Sequence, residues 1–139
     1  MNARDEFVYS LDAIDFANFF DDGQIDLLCF DPPYYKIVED SWDNQWQSLD
    51  EYVGWFMQLL EAYKPKLSQT GSVVFFGQLG SPGIRPLQKI LLEIEDRDLY
   101  LVRNQITWKK RRAYGKSHDY LFCREEIVWL SKSKERTGV

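Results

Sequence analysis

Hydrophobic and polar residues along the chain fall into blocks that predict strands and helices in turn. Ile25–Phe30 is a nearly continuous apolar run, typical of a parallel strand buried on both faces, and Asp21–Gly23 supplies a turn before it. Pro32 and Pro33 cannot extend this strand, because each lacks an N–H and restricts the residue before it. The chain is therefore predicted to leave the sheet directly after Asp31.

Helical spacing of apolar residues marks three further segments. Ala13–Phe20 shows a loose helical pattern. Ser48 and Glu51 form a capping-box pattern, and an amphipathic helix is predicted from there to Pro65. A third helix is predicted from Pro86, because proline is favoured in a first helical turn.

The remaining apolar runs predict strands. They are Glu6–Ser10, Val73–Phe76, Leu99–Trp108 and Glu126–Leu130, with the polar, basic stretch Lys109–Asp119 between the last two. Strands that alternate with helices predict an α/β layered domain. A chain of 139 residues, 45% of them hydrophobic, is expected to form one folded unit.

Composition narrows the class of protein. No apolar run approaches the roughly 20 residues of a membrane span, and the first residues contain no apolar signal segment, so a soluble, cytoplasmic protein is expected. Cys29 and Cys123 are interpreted as reduced core residues. The net charge of -5 counts against a nucleic-acid coat, but cations cluster locally at Arg103, Lys109, Lys110, Arg111, Arg112 and Lys116.

The sequence Asp31-Pro32-Pro33-Tyr34 is the strongest chemical signal, because it follows the most apolar strand. Ligands of open α/β sheets bind beyond the carboxyl ends of the strands. A rigid corner of two prolines can hold the Asp31 carboxylate and the Pro32 carbonyl as two fixed acceptors, which suit the two N–H donors of an exocyclic amine. The ring of Tyr34 can stack on a base removed from the duplex.

This arrangement predicts methyl transfer to an amino nitrogen. A base amine is a poor nucleophile, and hydrogen bonds from its protons to Asp31 and Pro32 return electron density to the nitrogen. Positioning and electrostatics then account for most of the catalysis, with neither a metal nor a covalent nucleophile required.

The tetrapeptide resembles the catalytic motif of the DNA amino-methyltransferases, and its surroundings resemble the β-class enzymes of restriction-modification systems and phages. The segments that agree in order and spacing are Tyr9–Asp12, Trp42-Asp43, Thr70–Gly77, Asn104–Lys109, Glu125–Trp129 and Lys132.

The resemblance implies a partial Rossmann-like, S-adenosylmethionine-dependent methyltransferase sheet with flanking helices. It implies Asp31, Pro32, Pro33 and Tyr34 as catalytic residues, and Asp12, Asp31 and Pro32 as cofactor contacts. Adenine N6 in DNA is the favoured target, since the family more often has Ser in place of Asp31 for cytosine N4. Cytosine N4, RNA or protein amides, and an inactive remnant that acts as a binding subunit remain alternatives.

Other residues are assigned to DNA or to the core. Lys109, Lys110, Arg111, Arg112 and Lys116 are predicted to contact phosphates, although a solvated hairpin tip also explains them. Tyr120 and Phe122 precede the last strand, where the family stacks the second side of the base, with core packing an equal alternative. Trp42 and Trp46 are interpreted as cover for a core edge, and His118 as a surface residue.

Departures from the family pattern lead to a further expectation. Tyr35 stands where Asn is frequent, and Arg124 stands where His is usual. We expect the target-recognition region and the Phe-x-Gly-x-Gly cofactor loop to be absent, and we reject Phe75–Gly80 as that loop because its glycine spacing is wrong. Two strands would then be missing beside Ile25–Phe30. A second chain or a missing C-terminal half is expected to complete the sheet.

Overall fold

The computed structural model describes residues 7–36, 45–114 and 122–132. In chain order the elements are α1 (Ala13–Phe16), a 3-10 helix (Ala17–Phe19), β1 (Ile25–Phe30), α2 (Leu49–Tyr63), β2 (Leu67–Gly77), α3 (Pro86–Asp96), β3 (Leu101–Tyr114) and β4 (Phe122–Ser131). The strands form one four-stranded sheet in the order β1-β2-β4-β3. The predicted α/β class is confirmed.

The pairing of the strands brings several chain segments to one edge of the sheet. β1 and β2 are parallel, with Phe30 opposite Phe75, so both strands end at the same edge. β4 runs antiparallel to β2, and Gly77 lies opposite Glu126. β3 and β4 therefore extend past the edge at which β1 and β2 end.

Local signals in the sequence fix both long helices. The Ser48 Oγ accepts a hydrogen bond from the Glu51 N–H at 3.1 Å, which confirms the predicted N-cap of α2. The Glu51 carboxylate accepts from the N–H of Gln47, one residue before the cap, at 2.6 Å. The helix ends at Tyr63, before Pro65, and α3 begins at Pro86 as predicted.

The core lies between one face of the sheet and helices α2 and α3. Phe75 on β2 is fully buried, and its ring centroid lies 5.5 Å from that of Phe30 and 5.0 Å from that of Phe56. The other fully buried side chains of this layer include Met57, Leu60, Leu67, Val73, Leu87, Ile90, Ile94, Val128 and Leu130. Both helices are thus held on the same side of the sheet.

The opposite face of the sheet is open in the part of the chain that the structure describes. Leu27 on β1 is 60% exposed, and Ile106 and Trp108 on β3 are 47% and 50% exposed. The prediction that β1 is buried on both faces is therefore wrong, because no described element covers the face that carries Leu27. Among the described strands, only β2 lies beside β1. Cys29 lies on this open face and Cys123 is partly exposed. Both are free thiols, but neither is the core residue that was predicted.

Three element boundaries also differ from the predictions. Phe7–Ser10 is exposed, irregular chain, because no described strand pairs with it. β2 begins at Leu67, ahead of its predicted start at Val73, and its pairing with β1 is irregular between Leu67 and Ser72. β3 continues to Tyr114 because it stays paired with β4, so the basic stretch begins within a strand.

Among the described residues, no helix has both the length and the apolar character needed to span a membrane.

The close approach of β2 and α3 gives a stability prediction. A Cβ added at Gly77 would lie 2.6 Å from the Leu87 Cδ1, and Leu87 is buried and cannot move aside freely. Gly77→Ala is expected to destabilise the fold by roughly 1–3 kcal/mol through overpacking. Gly54→Ala is the matched control: nothing lies within 4 Å of its added Cβ, and alanine inside a helix gains roughly 1 kcal/mol over glycine. Urea unfolding that moves both variants in the same direction would contradict this packing.

Candidate functional site

Asp31-Pro32-Pro33-Tyr34 leaves the sheet where β1 ends, as predicted. Asp31 is exposed, Pro32 is buried, and Tyr34 is partly buried. Each proline has its φ angle fixed near -65° by its ring, so this corner has little backbone freedom. We call residues 31–35, which include the residues that the resemblance implies to be catalytic, the catalytic turn.

Two hydrogen-bonded contacts anchor the catalytic turn to the rest of the fold. The buried Tyr52 of α2 donates from its hydroxyl to the Pro33 carbonyl at 3.0 Å. Gln78, directly after β2, accepts from the Tyr35 N–H at 2.6 Å and donates to the Tyr35 carbonyl at 2.9 Å. The turn is therefore held from a helix and from the end of a neighbouring strand.

The two acceptors that the sequence predicts are left available. Within residues 7–36, 45–114 and 122–132, no donor is hydrogen-bonded to the Asp31 carboxylate or to the Pro32 carbonyl. An exocyclic amine offers two N–H donors, so it can satisfy both groups at once. The turn is thus anchored at Pro33 and Tyr35, whereas the acceptors at Asp31 and Pro32 have no hydrogen-bond donor among the described residues.

Tyr34 lies beside Asp31 and the start of β4. Burial raises the pKa of its phenol to about 12, and the negative charges of Glu125 and then Asp31 raise it in the same direction. The phenol is therefore neutral at physiological pH. No aromatic pair among the described residues includes Tyr34, and its side chain is partly exposed.

Tyr35, by contrast, is a core residue. Its side chain is buried, and its ring centroid lies 5.8 Å from that of Tyr52. Trp46 is buried against Tyr52 and Trp55, at 4.8 Å and 4.9 Å between ring centroids, which confirms its interpretation as cover for a core edge. The tyrosine that replaces the family's frequent Asn is thus explained by packing.

An apolar cleft runs from the catalytic turn toward α1. Its volume is about 150 Å³, and its lining includes Ala13, Leu28, Phe30, Asp31, Pro32, Trp55, Leu59 and Tyr63. The Tyr63 hydroxyl donates to the Ala13 carbonyl at 2.7 Å, and burial, followed by the nearby charge of Asp12, raises its pKa. The structure therefore brings the start of α1 and the catalytic turn to one cleft.

Asp12 is the N-cap of α1. Its Oδ1 accepts from the N–H groups of Ile14 and Asp15 at 2.9 Å and 3.1 Å. Both bonds end on the same oxygen, and Oδ2 has no donor among the described residues. Capping thus leaves one carboxylate oxygen for a ligand.

The basic residues lie on β3, whose end extends past the same sheet edge. Lys109 and Arg111 are exposed, whereas Lys110 forms an ion pair with Glu125 and lies 5.9 Å from the Trp108 ring centroid. Arg124 is exposed and lies 3.6 Å from Glu126. The side chains of Arg112 and Phe122, and residues Trp42, Asp43, Lys116, His118 and Tyr120, lie outside the described part of the chain.

Gln78 and Tyr52 are the site residues that the sequence did not single out. Tyr52 lies in the predicted amphipathic helix, and its hydroxyl reaches the turn. Gln78 lies in the rejected Phe75–Gly80 segment, where Gly77 closely approaches Leu87 of α3. The signal that the sequence offered was a polar residue close to the end of a predicted strand.

Comparison with known proteins agrees with this geometry. Type II methyltransferase M.BglII, recorded from Bacillus subtilis, is 25% identical over 133 residues, which cover 92% of this chain and 36% of that protein. The structure of PvuII DNA methyltransferase (cytosine-N4-specific) superposes with a TM-score of 0.72 at 19% identity, over 91% of this chain and 49% of that one. M1.HpyAVI in complex with SAM gives a TM-score of 0.62 at 18% identity, over 92% and 56% of the two chains.

These relatives are longer than this chain, which spans about a third of the length of M.BglII and about half of each of the two solved structures. The sequence model of a family described as DNA methylase, of the N6/N4 type, matches residues 25–138, which is most of the chain. The match begins at β1 and includes the whole catalytic turn. The chain belongs to the N6/N4 DNA methylase family.

Proposed function

We propose that this chain carries the catalytic half of an S-adenosylmethionine-dependent DNA methyltransferase that methylates adenine N6 of a base turned out of the duplex. The observation that carries the proposal is the pair of available acceptors, the Asp31 carboxylate and the Pro32 carbonyl, on an anchored turn at the end of β1. Membership of the DNA methylase family gives the reaction class.

The chain's own residues orient and activate the amine. Its two N–H groups donate to Asp31 and Pro32, so the nitrogen lone pair is directed away from both acceptors. Hydrogen bonds to charged or polar acceptors strengthen as positive charge develops on the nitrogen, which lowers the barrier to methyl transfer. The neutral Tyr34 ring offers a face on which the extruded base stacks.

Adenine is favoured over cytosine by the acid at position 31, since the family more often has Ser there for cytosine N4. The cytosine-N4 specificity of the PvuII enzyme supports the second candidate, cytosine N4 in DNA. Both targets present an exocyclic NH₂ group, so the two acceptors suit either one. The nature of the methylated product therefore decides between them.

S-adenosylmethionine is the methyl donor that we propose, in line with the SAM complex of M1.HpyAVI. It supplies an electrophilic methyl group on a positively charged sulfonium. Asp31 and the second carboxylate oxygen of Asp12 suit a cation, and the apolar cleft lined by Asp31 and by Ala13, the residue after Asp12, suits carbon groups. We propose that Asp12, Asp31 and Pro32 contact this cofactor.

The cleft is nonetheless too small to enclose such a ligand. Its volume of about 150 Å³ is below the roughly 300–1,000 Å³ of ligand pockets in general. β1 is an edge strand, and parallel strands are normally covered on both faces. We therefore propose that additional polypeptide, from a longer form of this chain or from a second chain, pairs with β1 and completes both the cleft and the open face.

The open face has the composition that such a cover requires. Val74, Phe76 and Ile127 lie on it between the exposed Leu27 of β1 and Ile106 of β3. Right-handed crossovers place α2, which connects β1 to β2, on the core face. A unit that adds parallel strands on the other side of β1 places its connecting helices on the open face.

Replacement of Asp31 by alanine tests the catalytic proposal. In the complete enzyme, whether one chain or a complex, Asp31→Ala is expected to lower the rate of methyl transfer to DNA by at least about 10²-fold, as for loss of one transition-state hydrogen-bond partner. Mass spectrometry of the nucleosides should find N6-methyladenine as the wild-type product. N4-methylcytosine would select the second candidate.

The control is Asp96→Ala, an exposed acid at the last position of α3, which should leave the rate unchanged. Undiminished methyl incorporation by Asp31→Ala would refute the role of the catalytic turn. Full activity of the 139-residue chain by itself would refute the need for a completing polypeptide, without affecting the role of Asp31.

We also propose that DNA phosphates contact the cations of β3 and the stretch after it. Lys109 and Arg111 are exposed near the catalytic edge, and Arg112 and Lys116 follow in sequence. Lys110 is partly neutralised by Glu125, so its contribution is expected to be smaller. Tyr120 and Phe122 are proposed to contact the base or its neighbours in DNA.

Salt dependence of DNA binding tests the phosphate contacts. Lys109→Ala and Arg111→Ala should each weaken binding on any DNA sequence and reduce the slope of log affinity against log salt concentration by about 1. Lys89→Ala removes the same charge from α3, where it pairs with Asp50 at 2.8 Å, and should leave the slope unchanged. Equal slopes for all three variants would count against a phosphate-binding surface on β3.

A further inference from the structure

Gln78 is a buried polar residue outside the catalytic turn, and both polar groups of its side chain hydrogen-bond to the backbone of that turn. We propose, on the basis of the proposed function, that Gln78 is a positioning residue. Its side-chain amide fixes the backbone at Tyr35 and thereby sets the direction in which the Pro32 carbonyl points toward the base amine. Its role is separate from that of the residues that touch the substrate.

Both polar groups of the Gln78 side chain hydrogen-bond to the backbone of Tyr35. The side-chain oxygen accepts from the Tyr35 N–H at 2.6 Å, and the side-chain nitrogen donates to the Tyr35 carbonyl at 2.9 Å. The pair reproduces the two-way exchange of hydrogen bonds between opposed residues of antiparallel strands. A glutamate lacks the donor and a methionine lacks both groups, so glutamine is chemically specified at this position.

The backbone of Gln78 is itself immobilised. It follows Gly77, which is paired with Glu126 in the sheet, and its carbonyl accepts from the Leu87 N–H at the start of α3 at 3.1 Å. Leu87 in turn packs against Gly77. The side chain of Gln78 therefore extends from a rigid junction of β2 and α3.

Several backbone torsions on either side of Pro32 are restrained. Phe30 is fixed by its pairing with Phe75, and the φ angles of both prolines are fixed by their rings. With Tyr52 on the Pro33 carbonyl and Gln78 on Tyr35, both sides of the Pro32 peptide are restrained. Displacement of a reacting group by about 1 Å can cost about 10²-fold in rate, so this restraint matters to catalysis.

Gln78→Met and Gln78→Glu in the complete enzyme, with Gln88→Met as control, test the inference. Gln88 is an exposed glutamine of α3, so its replacement should change nothing. Gln78→Met should lower kcat by about 10²-fold while the KM for S-adenosylmethionine stays near that of the wild type. It should also accelerate hydrogen exchange of the Tyr35 amide, measured by NMR or mass spectrometry.

Gln78→Glu gives a readout that loss of folding cannot mimic. The introduced carboxylate would face the Tyr35 carbonyl without a donor, and burial raises the pKa of a carboxyl group. Its protonated form can donate to that carbonyl. Relative to the wild type at each pH, activity of this variant should therefore recover as pH falls, and protection of the Tyr35 amide against its intrinsic exchange rate should rise over the same range.

The inference fails if Gln78→Met leaves both kcat and Tyr35 exchange at wild-type values, or if Gln78→Glu shows no pH-dependent recovery relative to the wild type. A wild-type enzyme that transfers no methyl group to DNA would instead overturn the proposed function. In that case the contact of Gln78 with Tyr35 is still decided by amide exchange in Gln78→Met against Gln88→Met.

Discussion

The restraint of the backbone around Pro32 is the constraint on which the site depends. Phe30 before it belongs to the sheet, and the residues after it are held by the Tyr52 hydroxyl and the Gln78 amide. Tyr52 and Gln78 are buried, and Phe30 packs partly buried against the core between the sheet and the two long helices. The packing of α2 and α3 on the sheet therefore determines where the two acceptors of the turn lie.

The hydrogen-bond acceptors, the cations and the uncovered surfaces lie in different places around this turn. The acceptors at Asp31 and Pro32 are left available, and Tyr34 is kept neutral by burial and by two nearby carboxylates. The cations of β3 lie past the same sheet edge, while the side of β1 without a neighbouring strand and the apolar face of the sheet have no cover among the described residues. This chain, about half the length of its solved relatives, thus presents the proposed amine-binding groups more completely than the proposed cofactor cleft.

Much of the fold was predictable because local chemistry decides it. The N-cap at Ser48, the first-turn proline at position 86 and the strand end before Pro32 all lie where the sequence places them. The burial of β1 was not predictable: an apolar run shows that both faces can be covered, but not whether covering elements are present. For the same reason Cys29 was assigned to a core that it does not enter.

The site was predictable where a motif carries its own geometry and not where it depends on tertiary contacts. Asp31-Pro32-Pro33-Tyr34 specifies a rigid corner with two acceptors, and the structure has that corner. Gln78 is 43 residues from Tyr35 in sequence, and only the pairing of β1 with β2 brings the two together. No local pattern encodes that distance.

A crystal structure of the complete enzyme with DNA that contains its target base tests the central claim most directly. The account predicts that the exocyclic nitrogen of the extruded base lies within hydrogen-bonding distance, about 2.7–3.2 Å, of both the Asp31 carboxylate and the Pro32 carbonyl. A productive complex in which that nitrogen contacts neither group would contradict it.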